Sequence, residues 1–202
     1  GTPGYRARIE PLDLGLGGAV DAARELLLLA SPLTAKWKAP ANPFMLKERG
    51  VPPSDWTRRG PYAMTRGWCI FEIFKMLANG ATLHVVLAPA DVAGFGELLV
   101  REFDELAKII ANLDARDAQI SKVEDREYIL GQVAALDGGL GAVTARVCEA
   151  MNGWLVAQGE AELARLPAAE RGTSVLLGKV ALLLGGRGDY AAAEPLYREA
   201  VQ

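Results

Sequence analysis

The stretch Gly188-Asp-Tyr-Ala-Ala-Ala-Glu-Pro-Leu-Tyr-Arg-Glu-Ala-Val-Gln202 decides the fold of the C-terminal part of this chain. Gly188 can adopt the left-handed backbone conformation that closes a helix, and Asp189 is a residue type that caps the next helix. An apolar helical pattern precedes them over residues 173–184. The sequence therefore predicts a helical hairpin, with helices over residues 173–184 and 189–201.

Small and large side chains alternate in this hairpin. The small ones are predicted to lie where the helices approach closely, and the large ones to fill the spaces between them. With the closing glycine, these packing residues are Ala181, Leu184, Gly188, Tyr190, Ala193, Tyr197 and Ala200. The pattern Gly-Asp-Tyr followed by Ala-Glu-Pro-Leu-Tyr-Arg-Glu-Ala resembles the tetratricopeptide repeats of kinesin light chains and related array proteins, which also carry proline at the position of Pro195.

The resemblance implies that residues 172–202 form one incomplete tetratricopeptide repeat. Such repeats are stable only when stacked on neighbours, so we expect this chain to be a fragment of a longer array protein. Arrays of this kind present a concave surface to other proteins or peptides and perform no chemistry. A kinesin-light-chain-like cargo adaptor is an alternative, although the heptad coiled coil that precedes the repeats in that family has no counterpart here.

The N-terminal part, residues 1–90, is predicted to be an α/β region. A short buried strand is predicted over residues 26–30, ending at Ser31-Pro32, and residues 32–61 form a proline-rich loop or insertion. A helix is expected over residues 65–77, with Thr65 as its N-cap and Asn79-Gly80 as its stop. The apolar run over residues 81–87 predicts a parallel strand buried on both faces.

The string Thr65-Arg-Gly-Trp-Cys-Ile-Phe-Glu-Ile-Phe74, with its flanking strands, resembles the later half of a Toll/interleukin-1-receptor (TIR)-like domain. This implies a partial, divergent TIR-like region with a flavodoxin-like remnant of a parallel sheet. Proteins of algae and other protists join such a domain to kinesin-light-chain-like repeats, which implies a signalling scaffold. In TIR domains that cleave NAD, the motif glutamate is catalytic, and by motif position that residue is Glu72. A carboxylate there would stabilise the positive charge that builds on the ribose as nicotinamide leaves.

A structural role for the same motif is the alternative that we favour over catalysis, and the sequence leaves enzyme activity open. Glu72 is then a helix carboxylate favoured by the helix dipole. Trp68 and Cys69 are then packing residues, with the thiol buried and inert.

Residues 91–165 are predicted to be a helical connector, so the whole chain should be mostly helical. Ser121-Lys-Val-Glu124 has the pattern of a capping box that opens a helix ending near residues 137–139. A further helix is expected over residues 142–157. The glycines at 15–18 and 139–141 do not complete a phosphate-binding motif and are predicted to be turns or helix boundaries.

Composition narrows the possible partners and ligands. Half of the 202 residues are hydrophobic and the net charge is −3, which favours neither nucleic acid nor an anionic membrane as partner. No apolar run approaches the ~18 residues of a membrane span. Cys69 and Cys148 lack partner spacing, which favours a reducing, cytoplasmic compartment.

No metal or cofactor site is predicted. His84 is the only histidine and lies within a predicted strand, so His/Cys metal clusters and triads have too few members. The acidic residues Asp104, Asp114, Asp117, Glu124 and Asp125 are not fixed face to face by any pattern. NAD enters only under the NAD glycohydrolase alternative. Open sheet edges and an uncovered repeat face also predict a capacity for self-association.

Overall fold

The computed structural model describes residues 22–31, 36–38, 57–59, 61–120 and 122–200. Within these ranges the chain is mostly helical and carries a small α/β part near its N-terminus, as the sequence predicts. The predicted turn at residues 15–18 and most of the proline-rich segment lie outside the described residues.

The described residues contain four short strands that form two separate pairs. They are β1 (Glu25–Leu29), β2 (Lys36–Lys38), β3 (Thr57–Arg59) and β4 (Thr82–Val86). β1 and β4 are parallel, and the predicted βαβ unit is confirmed. β2 and β3 pair antiparallel within the proline-rich segment, where no strand was predicted. Two apolar strands joined through a helix pair in parallel because the crossover carries the chain back to the same end of the sheet.

The helix α1 (Gly67–Ala78) lies between the two parallel strands in sequence. Its predicted N-cap, Thr65, is wrong. The hydroxyl of Thr65 donates to the carbonyl of Tyr62 at 2.7 Å, within a short 3-10 helix, and α1 begins after Arg66. The predicted stop is confirmed, because Asn79 is the C-cap and Gly80 follows with a φ of 77°.

Seven more helices follow in the described residues. They are α2 (Pro89–Val92), α3 (Phe95–Ala111), α4 (Val123–Ala134), α5 (Gly139–Arg165), α6 (Ala168–Arg171), α7 (Val175–Gly186) and α8 (Tyr190–Ala200). α5 has 27 residues; it begins three residues before the predicted range and ends eight residues after it, because no proline interrupts the chain before Leu166-Pro167. Of the predicted capping box before α4, Ser121 lies outside the described residues.

The hydrophobic core is organised around α5. This helix contacts α1, α3, α4 and α7, and its inward positions Val147, Leu155 and Leu163 are fully buried. Gly159 permits a close approach to α7 and α3. A Cβ atom at Gly159 would lie 2.5 Å from Cγ2 of Val180 and 3.5 Å from Cε2 of Phe103.

The segment after α3 is tied to the core by several hydrogen bonds. The amide of Gln119 donates to the carbonyl of Thr65 and the amide of Gly67 donates to the carbonyl of Gln119, each at 2.8 Å. The thiol of Cys148 donates to the carbonyl of Ile110 at 3.4 Å. These contacts fix the start of α1 and the end of α3 relative to α5.

Described residues cover only one face of the parallel sheet, so the prediction that β4 is buried on both faces is wrong. α1 packs on the face that includes Leu28, which is buried. Leu27 and Leu29 alternate with Leu28 and are 70% and 56% exposed, and His84 and Val86 lie opposite them on β4. Alternation puts successive side chains on opposite faces, and only one face meets a helix.

The predicted C-terminal hairpin is confirmed. α7 and α8 agree with the predicted helices to within two residues, and Gly188 between them has a φ of 81°. The amide of Ala192 donates to Oδ1 of Asp189 at 3.2 Å, so Asp189 caps α8. Among the described residues, none of the helices combines the length and apolarity that a membrane crossing requires.

Candidate functional site

The Trp-Cys-x-x-Glu motif lies in the first half of α1, on the side that is partly exposed to solvent. Trp68 stacks on Tyr128 of α4 with ring centroids 5.7 Å apart, and it meets the edge of Phe71 at 6.4 Å. Cys69 and Glu72 are half-buried beside it, one helical turn apart. Trp68 therefore joins α1 to α4, which agrees with its predicted packing role.

Burial sets the protonation chemistry of this motif. It raises the pKa of the Glu72 carboxyl. Burial is also the main reason why the pKa of the Cys69 thiol is raised. The negative charge of Glu72 raises this pKa further, and the Arg66 guanidinium lowers it. A thiol with a raised pKa is protonated at neutral pH and is a poor nucleophile. Cys69 is half-buried, whereas the sequence predicts a buried thiol, and its inertness stays a prediction that the raised pKa favours.

Other titratable candidates are not assembled around Glu72. His84 lies on the exposed face of the sheet, whereas α1 packs on the opposite face. Asp104 forms an ion pair with Lys179 at 3.2 Å, and Asp114 forms one with Arg116 at 2.6 Å. Across the described ranges, no three His, Cys, Asp or Glu side chains group in a way that could hold a metal ion.

The second candidate surface is the outer face of the hairpin α7–α8. The predicted close-contact residues Ala181 and Ala193 are buried between the helices, and Leu184 is buried in the core. Tyr190 does not fill a space between the helices as predicted, whereas Tyr197 reaches α7 with its hydroxyl, at Gly185. They are 72% and 42% exposed and lie on one outward stripe of α8, because they are seven positions apart.

Ala200 is also exposed, so its predicted role in close helix contact is not seen within this hairpin. Ala200 lies in the last described turn of α8, C-terminal to the buried contact residue Ala193.

Sequence reasoning missed the outward face of α7. Val175 and Leu182 are 65% and 66% exposed, and Gly178 and Gly185 lie between and beyond them. Tyr197 borders this face, since its hydroxyl lies 3.7 Å from the position of a Cβ atom at Gly185. We use the name hairpin face for Val175, Gly178, Leu182 and Gly185 together with Tyr190 and Tyr197. One signal in the sequence could have revealed this face. α7 has a single charged residue, and large residues alternate with glycine along it.

The charged side chains within α7 and α8 form ion pairs inside the chain. Glu194 and Arg198 form an ion pair at 2.5 Å on α8, and Lys179 pairs with Asp104. Arg171 of α6 reaches Glu199 of α8 at 2.6 Å. The face therefore offers an incoming molecule apolar side chains, bordered by charged side chains that already form ion pairs.

Comparison of the chain with models of known protein families, with curated proteins and with solved structures found no match in any of the three. The case for a function therefore depends on the α1 motif and the hairpin face.

Proposed function

We propose that this protein is a protein–protein interaction scaffold of the tetratricopeptide type, with the hairpin face as a binding surface. The observation that carries the proposal is the exposure of Val175, Leu182 and Tyr190 on a hairpin whose other side is firmly packed. Contiguous apolar patches larger than a few hundred Å² are rarely exposed on monomers and mark interaction sites.

The hairpin is a well-anchored platform, so its exposed face is not the result of loose docking. On its inner side Leu176, Leu177 and Val180 are fully buried against α5 and α3. The cap at Asp189 and the left-handed Gly188 fix the angle between the two helices. A rigid platform is favourable for binding because little conformational entropy is lost on association.

Within an array, the next hairpin or a bound peptide would cover this face. The paired charges around it favour an apolar helix over a charged ligand as occupant. A signalling role and a cytoplasmic location belong to the same proposal, through the resemblance of residues 172–202 to kinesin-light-chain-like repeats and of the α1 motif to TIR-like domains.

Photo-crosslinking at the hairpin face tests the proposal. A benzoylphenylalanine at position 182 of the full chain should yield protein adducts on irradiation in extracts of the source cells. The matched control is the same amino acid at Gln132, an exposed position of α4. Adducts formed at 182 but not at 132 support a binding surface. Equal yields at both positions, or none at 182, would contradict it.

A second candidate function is NAD glycohydrolase activity with Glu72 as the catalytic carboxylate. The observation that favours it is the half-buried position of Glu72 with its raised pKa, next to the Trp68–Tyr128 stack. Perturbed carboxyl groups of this kind are concentrated at functional sites. In this reaction the carboxylate would stabilise positive charge on the ribose as the bond to nicotinamide breaks.

The measurement for this second candidate is nicotinamide release from NAD by the full chain. Turnover that disappears in Glu72→Gln, with the fold retained by circular dichroism, supports it. Glu160→Gln, at an exposed position of α5, serves as the control. The same rate in wild type and Glu72→Gln would exclude Glu72 as the catalytic group.

A further inference from the structure

α7 is apolar on all sides, but one side has no described neighbour. Lys179 is its only charged residue. Leu177 and Val180 on the inner side are fully buried, while Val175 and Leu182 on the outer side are about two-thirds exposed. Helices that are hydrophobic all round are normally buried in a larger core. The outer side of α7 therefore has the composition of a covered surface.

The outer side of α7 also has a regular shape. Val175, Gly178, Leu182 and Gly185 follow one another at spacings of three and four residues, so that a large residue alternates with glycine along one seam. This is the spacing of the contact positions in helices that pair along their length. A Cβ atom at Gly178 would meet nothing within 4 Å, and one at Gly185 would meet only the hydroxyl of Tyr197. The hollow at Gly178 is therefore open, and the one at Gly185 is bordered by the hydroxyl of Tyr197.

We infer that the occupant of this seam is a second copy of the chain, with the two α7 helices antiparallel about a twofold axis level with Val180. Gly178 and Leu182 lie two positions before and after Val180, and Val175 and Gly185 lie five positions before and after it. An antiparallel pair therefore puts Leu182 over the partner's Gly178 and Val175 over the partner's Gly185. The seam is self-complementary, as a twofold interface requires.

Charges beside the seam fit the same arrangement. Lys179 lies next to the axis and holds Asp104 of α3 at 3.2 Å, with the carboxylate side chain 60% exposed. In an antiparallel pair, the two Lys179–Asp104 ion pairs lie on the same side of the seam. Each exposed Asp104 can then accept a second contact from the partner's Lys179, so opposite charges alternate around the axis.

The available area indicates a weak pair. The exposed parts of Val175, Leu182, Tyr190 and Tyr197 amount to roughly 500 Å² per copy, so two copies would bury about 1,000 Å², the lower limit for a specific interface. Interfaces of this small size belong to weak complexes, so the expected dissociation constant is on the order of micromolar. The inference rests on the proposed function, since it takes the hairpin face to be a protein-binding surface and names its partner.

Sedimentation equilibrium of the full chain tests the pairing and its register. Wild type should dimerise in the micromolar range, and Gly178→Leu should weaken the dimer at least about tenfold because it fills the hollow for the partner's Leu182. Gly131→Leu is the matched control, since Gly131 is exposed on α4 and also has open space around it. Both substitutions should maintain or raise the melting temperature, because leucine favours helix over glycine.

A swap of sizes provides the rescue. The double variant Gly178→Leu with Leu182→Ala restores one large and one small residue at each facing pair, so its dissociation constant should return to within about threefold of wild type. A monomeric wild type at about 100 μM, a Gly178→Leu dimer as tight as wild type, or a swap that restores nothing would each overturn the inference. If wild type is monomeric while position 182 still crosslinks to a protein of different mass, the proposed function stands and this inference alone fails.

Discussion

The parallel sheet and the C-terminal hairpin both leave an apolar face uncovered by described residues, but they differ in how the opposite face is held. The hairpin places Leu176, Leu177 and Val180 in the central core around α5. The sheet has two strands and reaches that core mainly through Leu28 and α1. An exposed face on a rigid support is suited to binding, whereas one on a two-stranded sheet has less support of its own. The hairpin is therefore the better platform.

The largest expected effect separates the two sides of α7. Leu177→Ala should lower the free energy of unfolding by about 3 kcal/mol, because it leaves a cavity in the core. Leu182→Ala, the same change on the exposed side, should stay within about 0.5 kcal/mol. Denaturant unfolding at submicromolar protein concentration, where a weak pair is dissociated, measures both. Equal losses would show that the two sides of the helix are covered to the same extent.

The same test on the sheet should give a smaller contrast. Leu28→Ala should cost about 2 kcal/mol, less than Leu177→Ala, because a two-stranded sheet can relax around the lost side chain. Leu27→Ala, one position away on the exposed face, should cost no more than about 0.5 kcal/mol. Denaturant unfolding measures the loss of stability in both variants. A loss at Leu27 as large as that at Leu28 would mean that the outer face of the sheet is covered in solution.

Two glycines should give effects of opposite sign. Gly159→Ala brings a Cβ atom to 2.5 Å from Cγ2 of Val180 and should destabilise the chain by about 1–2 kcal/mol. Gly178→Ala meets open space and should stabilise it by up to about 1 kcal/mol, since alanine favours helix over glycine. The melting temperatures of the two variants, each compared with wild type, measure the two effects. A stabilising Gly159→Ala would contradict the close approach of α5 to α7.

The smallest expected effect concerns pH. Because burial raises the pKa of Glu72, the folded state holds this proton more tightly than the unfolded state. The stability gained from the proton is fully present below the ordinary carboxyl pKa of about 4 and is lost as pH rises through the raised pKa. Glu72→Gln should therefore melt slightly higher than wild type at pH 7 and at the same temperature at pH 4.

Exposed carboxyl groups provide the control for this pH effect. Glu160→Gln on α5 should not produce a comparable difference between pH 7 and pH 4. A Glu72→Gln variant that is less stable than wild type at pH 7 would show that the ionised carboxylate makes a favourable contact in the folded state.

The hairpin could be predicted from sequence because its signals are local. Gly188 and Asp189 determine the turn, and the apolar pattern determines the extent of the helix before it. The parallel pairing of β1 and β4 was also predictable from the apolar strands and the helix between them. In these cases each residue's role depends on its near neighbours in the chain.

The remaining features depend on contacts between distant segments. Thr65 has the right chemistry for an N-cap, but its hydroxyl bonds to Tyr62 instead. Apolar residues at Leu27 and Tyr190 predicted burial, yet both side chains are exposed because no described element packs over them. The hairpin face was missed for the same reason, since composition cannot distinguish a covered apolar side from an uncovered one.

Protection of position 182 tests the central claim most directly. In a chain with Cys69 and Cys148 replaced by alanine, a cysteine at 182 is labelled with a maleimide at increasing protein concentrations, with a cysteine at 132 as reference. If the hairpin face binds a second copy, labelling at 182 should slow as the concentration rises through the micromolar range, while labelling at 132 stays constant. Equal labelling rates at every concentration would contradict the claim.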